Sequence, residues 1–214
     1  MKNILTTLLL TLSFSSLAQV NLDSLWNVWN DKTRADTSRL NAMFIIAWHG
    51  YLFSQPDSAF YFAQLQYDFA ESVNHKQGMA NALNTQGASF YIKGNYAEAI
   101  IYYKKLLKFG DKKGISSSLN NIGLIYQAQG DFAMAIDYLI KGLKSLEEIG
   151  DKKGISSSLN NIGLIYQKQG DLPKAMDYYT KGLKIDEELE SLTLDLSCLI
   201  YEANSLIVIK MLNY

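Results

Sequence analysis

Hydrophobic positions along this 214-residue chain return at two periods. The short one is helical. Ile115, Leu119, Ile122 and Tyr126 fall three or four residues apart, and so do Ile155, Leu159, Ile162 and Tyr166. Such spacing lines one side of a helix with apolar side chains and leaves Ser and Asn for the other faces. The long period is 40 residues, because GDKKGISSSLNNIGLIYQ at Gly110–Gln127 recurs letter for letter at Gly150–Gln167. A fixed period of this size marks a stacked repeat architecture.

A second helix follows each copy. QGDFAMAIDYLIKGLKSLEEIGDKKG after the first becomes QGDLPKAMDYYTKGLKIDEELE after the second. Gly130 and Gly170 are predicted to end the first helix in a left-handed turn, where the missing Cβ removes the steric cost. Asp131 and Asp171 then stand where an N-cap is needed, and Pro173 falls in the first turn, where its lacking N–H does no harm. The second helix carries Ala135, Leu139 and Leu143, or Ala175, Tyr179 and Leu183. The predicted unit is helix, tight turn, helix, short loop. Neither helix buries its stripe without a neighbour, so units must stack.

This arrangement resembles the tetratricopeptide repeat. The matching positions are Leu119, Gly123, Tyr126 and Ala135, then Leu159, Gly163, Tyr166 and Ala175. The family's standard unit has about 34 residues. Here it is longer, and Glu147 and Glu187 stand in place of its final proline. With its paired asparagines, the longer unit is similar to the variety in kinesin light chains and many bacterial arrays. The resemblance implies an all-α fold, a right-handed α-solenoid of helix-turn-helix tetratricopeptide repeats.

In chain order, residues 1–18 read as a secretory signal peptide. Lys2 supplies the positive start, Ile4 to Leu17 the apolar run, and Ser16-Leu17-Ala18 a cleavage site. The run is too short and too interrupted by Ser and Thr to span a bilayer well. Export to a bacterial periplasm or the extracellular space follows. Residues 19–36, with Leu22, Leu25, Trp26 and Trp29, form an N-terminal capping segment. About four repeats then occupy 37–75, 76–110, 111–150 and 151–190. In the two degenerate ones, Ala47 and Gly87 take the place of Gly123, while Ala59 and Ala99 take that of Ala135. The 76–110 unit lacks the SLEE segment, a loss of four residues or about one helical turn, which keeps the apolar face in register. Residues 191–214 read as a C-terminal helix, capping or part of a truncated repeat, with Cys198 as a small buried hydrophobe.

Charge is nearly balanced, so no nucleic-acid footprint is expected. Two histidines and one cysteine leave little for metal or disulfide chemistry. There is no GxxxxGK loop, GxSxG elbow or HExxH, and the reading is not an enzyme, with no cofactor and no metal. The Asp-Lys-Lys triplets at 111–113 and 151–153 are read as loop charges, and the pairs Glu147/Glu148 and Glu187/Glu188 as solvated.

Function is then expected in a surface. The resemblance places the concave peptide groove on the first helices, at Phe44, Trp48 and Tyr51; Asn84, Ala88 and Tyr91; Asn120, Leu124 and Gln127; and Asn160, Leu164 and Gln167. Asn84, Asn120 and Asn160 share one repeat site. A primary amide donates and accepts, so a row of them suits the backbone of an extended peptide. The bland alternative is that these amides hold the stacking, a role that fits Asn121 and Asn161 better. Without Lys or Arg at those positions the groove reads as neutral and polar, with an aromatic N-terminal end. The expected partner is a protein or extended peptide, with neither nucleic acid nor a membrane span in the mature chain. Self-association through the C-terminal helix is a further expectation. The rival reading is the extracytoplasmic part of a truncated signalling protein carrying a kinase, cyclase or DNA-binding output.

Overall fold

In the computed structural model, which describes residues 21–190, every regular element is a helix. The first, α1 (Leu22–Asn30), is followed by α2 (Asp36–Ile45), which runs on as a π-helical segment at Ile46–Tyr51. Then come α3 (Pro56–Ser72), α4 (Lys76–Ile92) and α5 (Tyr96–Leu106). The long repeats supply α6 (Lys112–Ala128), α7 (Phe132–Ile149), α8 (Lys152–Lys168) and a last helix, α9, at 172–190. The segments read from sequence as a signal peptide, Met1–Ala18, and as a C-terminal helix, 191–214 with Cys198, lie outside the described residues. The chain divides into two compact units, described over 21–95 and 96–190. The division falls between α4 and α5, inside the segment read from sequence as the second repeat.

In the first unit, α1 is a cap. Trp26 stands edge-on to Phe62 at 5.2 Å and Trp29 edge-on to Phe69 at 5.4 Å. Arg39 ties the pair together, its guanidinium 4.2 Å from the Phe69 ring and donating to the Trp29 carbonyl at 3.0 Å. Gly50 admits the Leu22 side chain, since a Cβ there would stand 2.8 Å from Leu22 Cδ2.

The π-helical segment has a cause in the sequence. By repeat position His49 matches Ile125, which is fully buried, and Leu52 matches Ala128, which is exposed. A regular helix would put the imidazole into the core and the leucine into water. The wider π-turn reverses them. His49 becomes exposed, and Leu52 packs beside Ala59 and Ala88 under Trp48 and Tyr51. A local change of helical pitch costs less than burying an unpaired polar ring.

In the second unit, α7 and α8 share a core of Ala135, Leu139, Ile162 and Ile165. The small residues named from sequence set the close approach of paired helices. A Cβ on Gly123 would stand 2.8 Å from Leu139 Cγ and 3.1 Å from the Ala135 carbonyl oxygen. Gly130 and Gly170 adopt the left-handed conformation, and Asp131 and Asp171 cap the helices that follow, accepting from the N–H of Met134 and Lys174. Ala59, Ala99, Ala135 and Ala175 are all buried.

On the other faces of the first helix, Ser116, Ser118, Ser156 and Ser158 are buried. Ser118 donates to the Tyr103 carbonyl of α5 at 2.7 Å, so a small hydroxyl satisfies a backbone acceptor where helices meet closely. Two expectations need correction. First, α5 is shortened by more than one turn, with 11 residues against 18 in α7. Second, the Asp-Lys-Lys triplets are not loop charges. Asp111 and Asp151 are N-caps, accepting from the N–H of Gly114 and Gly154, and the lysines lie in the first turn. Lys112 reaches Glu148 at 3.0 Å and Lys152 reaches Glu188 at 3.1 Å, so one glutamate of each acidic pair is engaged.

Candidate functional site

The expected groove positions fall in both units. In the first, Phe44 and Trp48 stack at 6.0 Å with 24° between their planes, and His49 meets the edge of Phe44. Tyr51 lies 4.9 Å from Phe62. All three aromatics are half-buried, so they are neither free anchors nor wholly core. On α4, Ala88 is buried in the cluster that Trp48 and Tyr51 cover, Asn84 is half-buried and engaged, and Tyr91 is exposed.

In the second unit, Asn120 and Asn160 hold the same place on α6 and α8 and have different surroundings. Oδ1 of Asn120 accepts a 3.0 Å hydrogen bond from Nδ2 of Asn161 in the next repeat. The side chain of Asn160 lies over Gly182 of α9, where a Cβ would come within 2.6 Å of its Oδ1. Asn120 therefore has a stacking role in addition to its place on the surface. Leu124 is half-buried and Leu164 exposed. Gln167 accepts from the Tyr179 hydroxyl at 2.8 Å, whereas Gln127 is buried and its Nε2 has no partner. The two also differ in burial, since Gln167 is exposed, and Leu139 stands where the next repeat has the Tyr179 that donates to Gln167.

A groove of about 350 Å³ opens between α6 and α8. Ser116, Ser117, Asn120, Asn121, Ser157 and Ser158 bring hydroxyls and amides to it, with Gly154 and Leu146 as its small and apolar parts and Lys113, Asp151 and Lys153 at its charged end. Of the positions expected from sequence, only Asn120 lines it. The signal for the rest was present: stepping back from Asn120 by three and then four residues reaches Ser117 and Lys113, on the same helical stripe.

Two lysines and one aspartate line this groove. Lys113 pairs with Asp151 at 3.3 Å across the repeat boundary. The N–H of Gly154, and after it Lys113, hold the Asp151 carboxyl below the usual range. Glu148 is held low by its hydrogen bond from Lys112. A site with fixed hydroxyls, amides and one-sided charge can hold a polar chain by hydrogen bonds and orient it by charge. Among the described residues no His, Cys, Asp and Glu cluster is arranged to hold a metal ion, and no helix is long and apolar enough to cross a membrane.

Residues 114–188 match a tetratricopeptide-repeat family profile, and residues 82–111 match a second one. The chain belongs to the tetratricopeptide-repeat family. Solved structures with a similar fold include BtubC (BKLC) from P. vanneervenii, at 18% identity and TM-score 0.63 over 78% of this chain and 71% of that one. Another is aspartyl phosphate phosphatase F from Bacillus subtilis, at 18% identity and TM-score 0.68 over 73% of this chain and 42% of that one. A third is a Podosopora anserina putative kinesin light chain with nearly identical TPR-like repeats, at 14% identity and TM-score 0.56 over 78% and 86%. This tetratricopeptide chain thus spans less than half the length of the phosphatase. No curated protein matches it.

Proposed function

We propose that the chain is a scaffold that binds a protein or peptide, taking an extended segment against the faces of its first helices. One observation carries this reading: the groove between α6 and α8, where the exposed Ser117 and Ser157 and the half-buried Asn120 and Asn121 bring hydroxyl and amide groups to a surface a peptide backbone can reach. Relatives in fold support it. Similar structures at 17% and 11% identity are a Rap protein complexed with competence and sporulation factor and a Rap conjugation regulator in complex with the Phr* peptide. Export is part of the proposal and rests on Met1–Ala18 alone. Amino-terminal sequencing of protein from its source should begin at Gln19, and retention of Met1 would overturn export.

The binding reading is tested by probing the mature chain with an array of ten-residue peptides and measuring the captured ones by fluorescence anisotropy. Replacing Ser117 and Ser157 by Trp would fill the groove and should weaken binding at least tenfold. Helical content should be unchanged, as both residues are exposed. Undiminished binding by the double variant would move the site elsewhere.

A further inference from the structure

The 40-residue repeat lets one interface predict another. On α7, Leu139 is fully buried, and Phe132, Ile136 and Leu143 are partly covered where α8 packs against them. Their counterparts on α9 are Tyr179, Leu172, Met176 and Leu183. Leu172 is 59% exposed, Met176 64% and Leu183 58%. α9 thus presents in water the same apolar face that α7 presents to a helix, which is unusual for a surface with no partner.

We propose that this face is the contact between two copies of the chain, joined α9 to α9 about a two-fold axis. The first helices of another copy cannot supply the match. Each described one already has a predecessor against it: α1 on α2, α3 on α4, α5 on α6 and α7 on α8. Read in the repeat register, the sequence after Glu190 is a poorer match. That register sets Glu202 and Ser205 where Ile162 and Ile165 stand, at two fully buried positions. Burying a carboxylate and a hydroxyl against leucines costs several kcal/mol. What remains is the face itself, which is self-complementary across a two-fold as an isologous contact must be. Its neighbouring charges oppose no such pairing, because Lys174 is paired with Asp171 and Lys181 with Asp177 on the same helix.

Light scattering on the full mature chain over a range of concentrations tests the contact. The expected result is twice the chain mass, falling to one chain mass on dilution. Met176→Asp with Leu183→Asp should raise the dissociation constant at least tenfold with an unchanged circular dichroism spectrum, and Met176→Leu should leave it unaltered. A full chain that is monomeric at every concentration overturns the proposal and makes residues 191–214 the cover of the face. A dimer indifferent to both aspartates, or a mass that grows beyond two chains, overturns it too.

Discussion

Nδ2 of Asn161 donates to Oδ1 of Asn120 at 3.0 Å, joining the first helices of two consecutive repeats. The pair couples two segments of identical sequence through non-equivalent positions, 41 residues apart instead of 40. One step round the helix turns Asn161 towards the previous repeat and leaves Asn120 nearer the groove. The side-chain bond is partly shielded, so each single change to Ala should lower stability by about 1 kcal/mol. In a double-mutant cycle measured by urea unfolding, the two should couple by about 0.5–1.5 kcal/mol. Strictly additive losses would show that the bond contributes nothing.

Gln127 poses the opposite case. Its Nε2 is a buried donor without an acceptor, and an unmade hydrogen bond costs about 1–3 kcal/mol. Gln127→Met should therefore raise the urea midpoint, while Gln167→Met should not, because Gln167 is exposed and its oxygen accepts from the Tyr179 hydroxyl. Equal responses at the two sites would refute the explanation from the buried donor.

The start of α4 departs from its relatives. His75 accepts from the Gly78 N–H at 2.9 Å, the bond that Asp111 and Asp151 make in the long repeats. Just before it, Asn74 is left-handed with φ 52°, where Gly150 serves in a long repeat with φ 69°. His75→Ala should cost about 1 kcal/mol and His75→Asp should restore the loss. Asn74→Gly should be neutral or stabilising by a few tenths of a kcal/mol. Thermal unfolding monitored at 222 nm checks all three, and a harmless His75→Ala would deny the ring its capping role.

Acid should loosen the second unit. The folded state holds Asp151, Glu148 and Asp171 below their ordinary values of 3.8, 4.5 and 3.8. A lowered carboxyl contributes stability that is complete above the unfolded value and is lost as pH falls through the folded one. Stability should hold at pH 7 and begin to decline near pH 4.5. Asp151→Asn keeps a capping oxygen while removing the titration, so it should flatten part of that decline. The exposed pairs at Glu148 and Asp171 should contribute less in 1 M salt. Urea unfolding at pH 7 and pH 3.5 measures both effects, and an identical acid loss in Asp151→Asn would dismiss this group.

Much of the architecture was legible in the residues themselves. The duplicated segment, the helical stripe, Gly130 and Gly170 at left-handed turns, Asp131 and Asp171 at caps, and the alanines at helix crossings each follow from local stereochemistry. Within one helix, identity and spacing decide which residues can cap, turn or approach closely, and no distant partner is needed. Other features required the neighbours. Pattern alone could not reveal that His49 would be turned outwards by a π-helical segment, because only the packing of Leu52 against Ala59 and Ala88 makes that pitch favourable. Nor could it tell that Asn120 would be claimed by Asn161, or that Lys113 would reach Asp151 across the groove. The same limit applies to Leu172, Met176 and Leu183, which have the spacing of core residues and yet face water. Sequence specified which side of each helix is apolar; whether a partner covers that side is settled by stacking, since burial is a property of two surfaces and not of one.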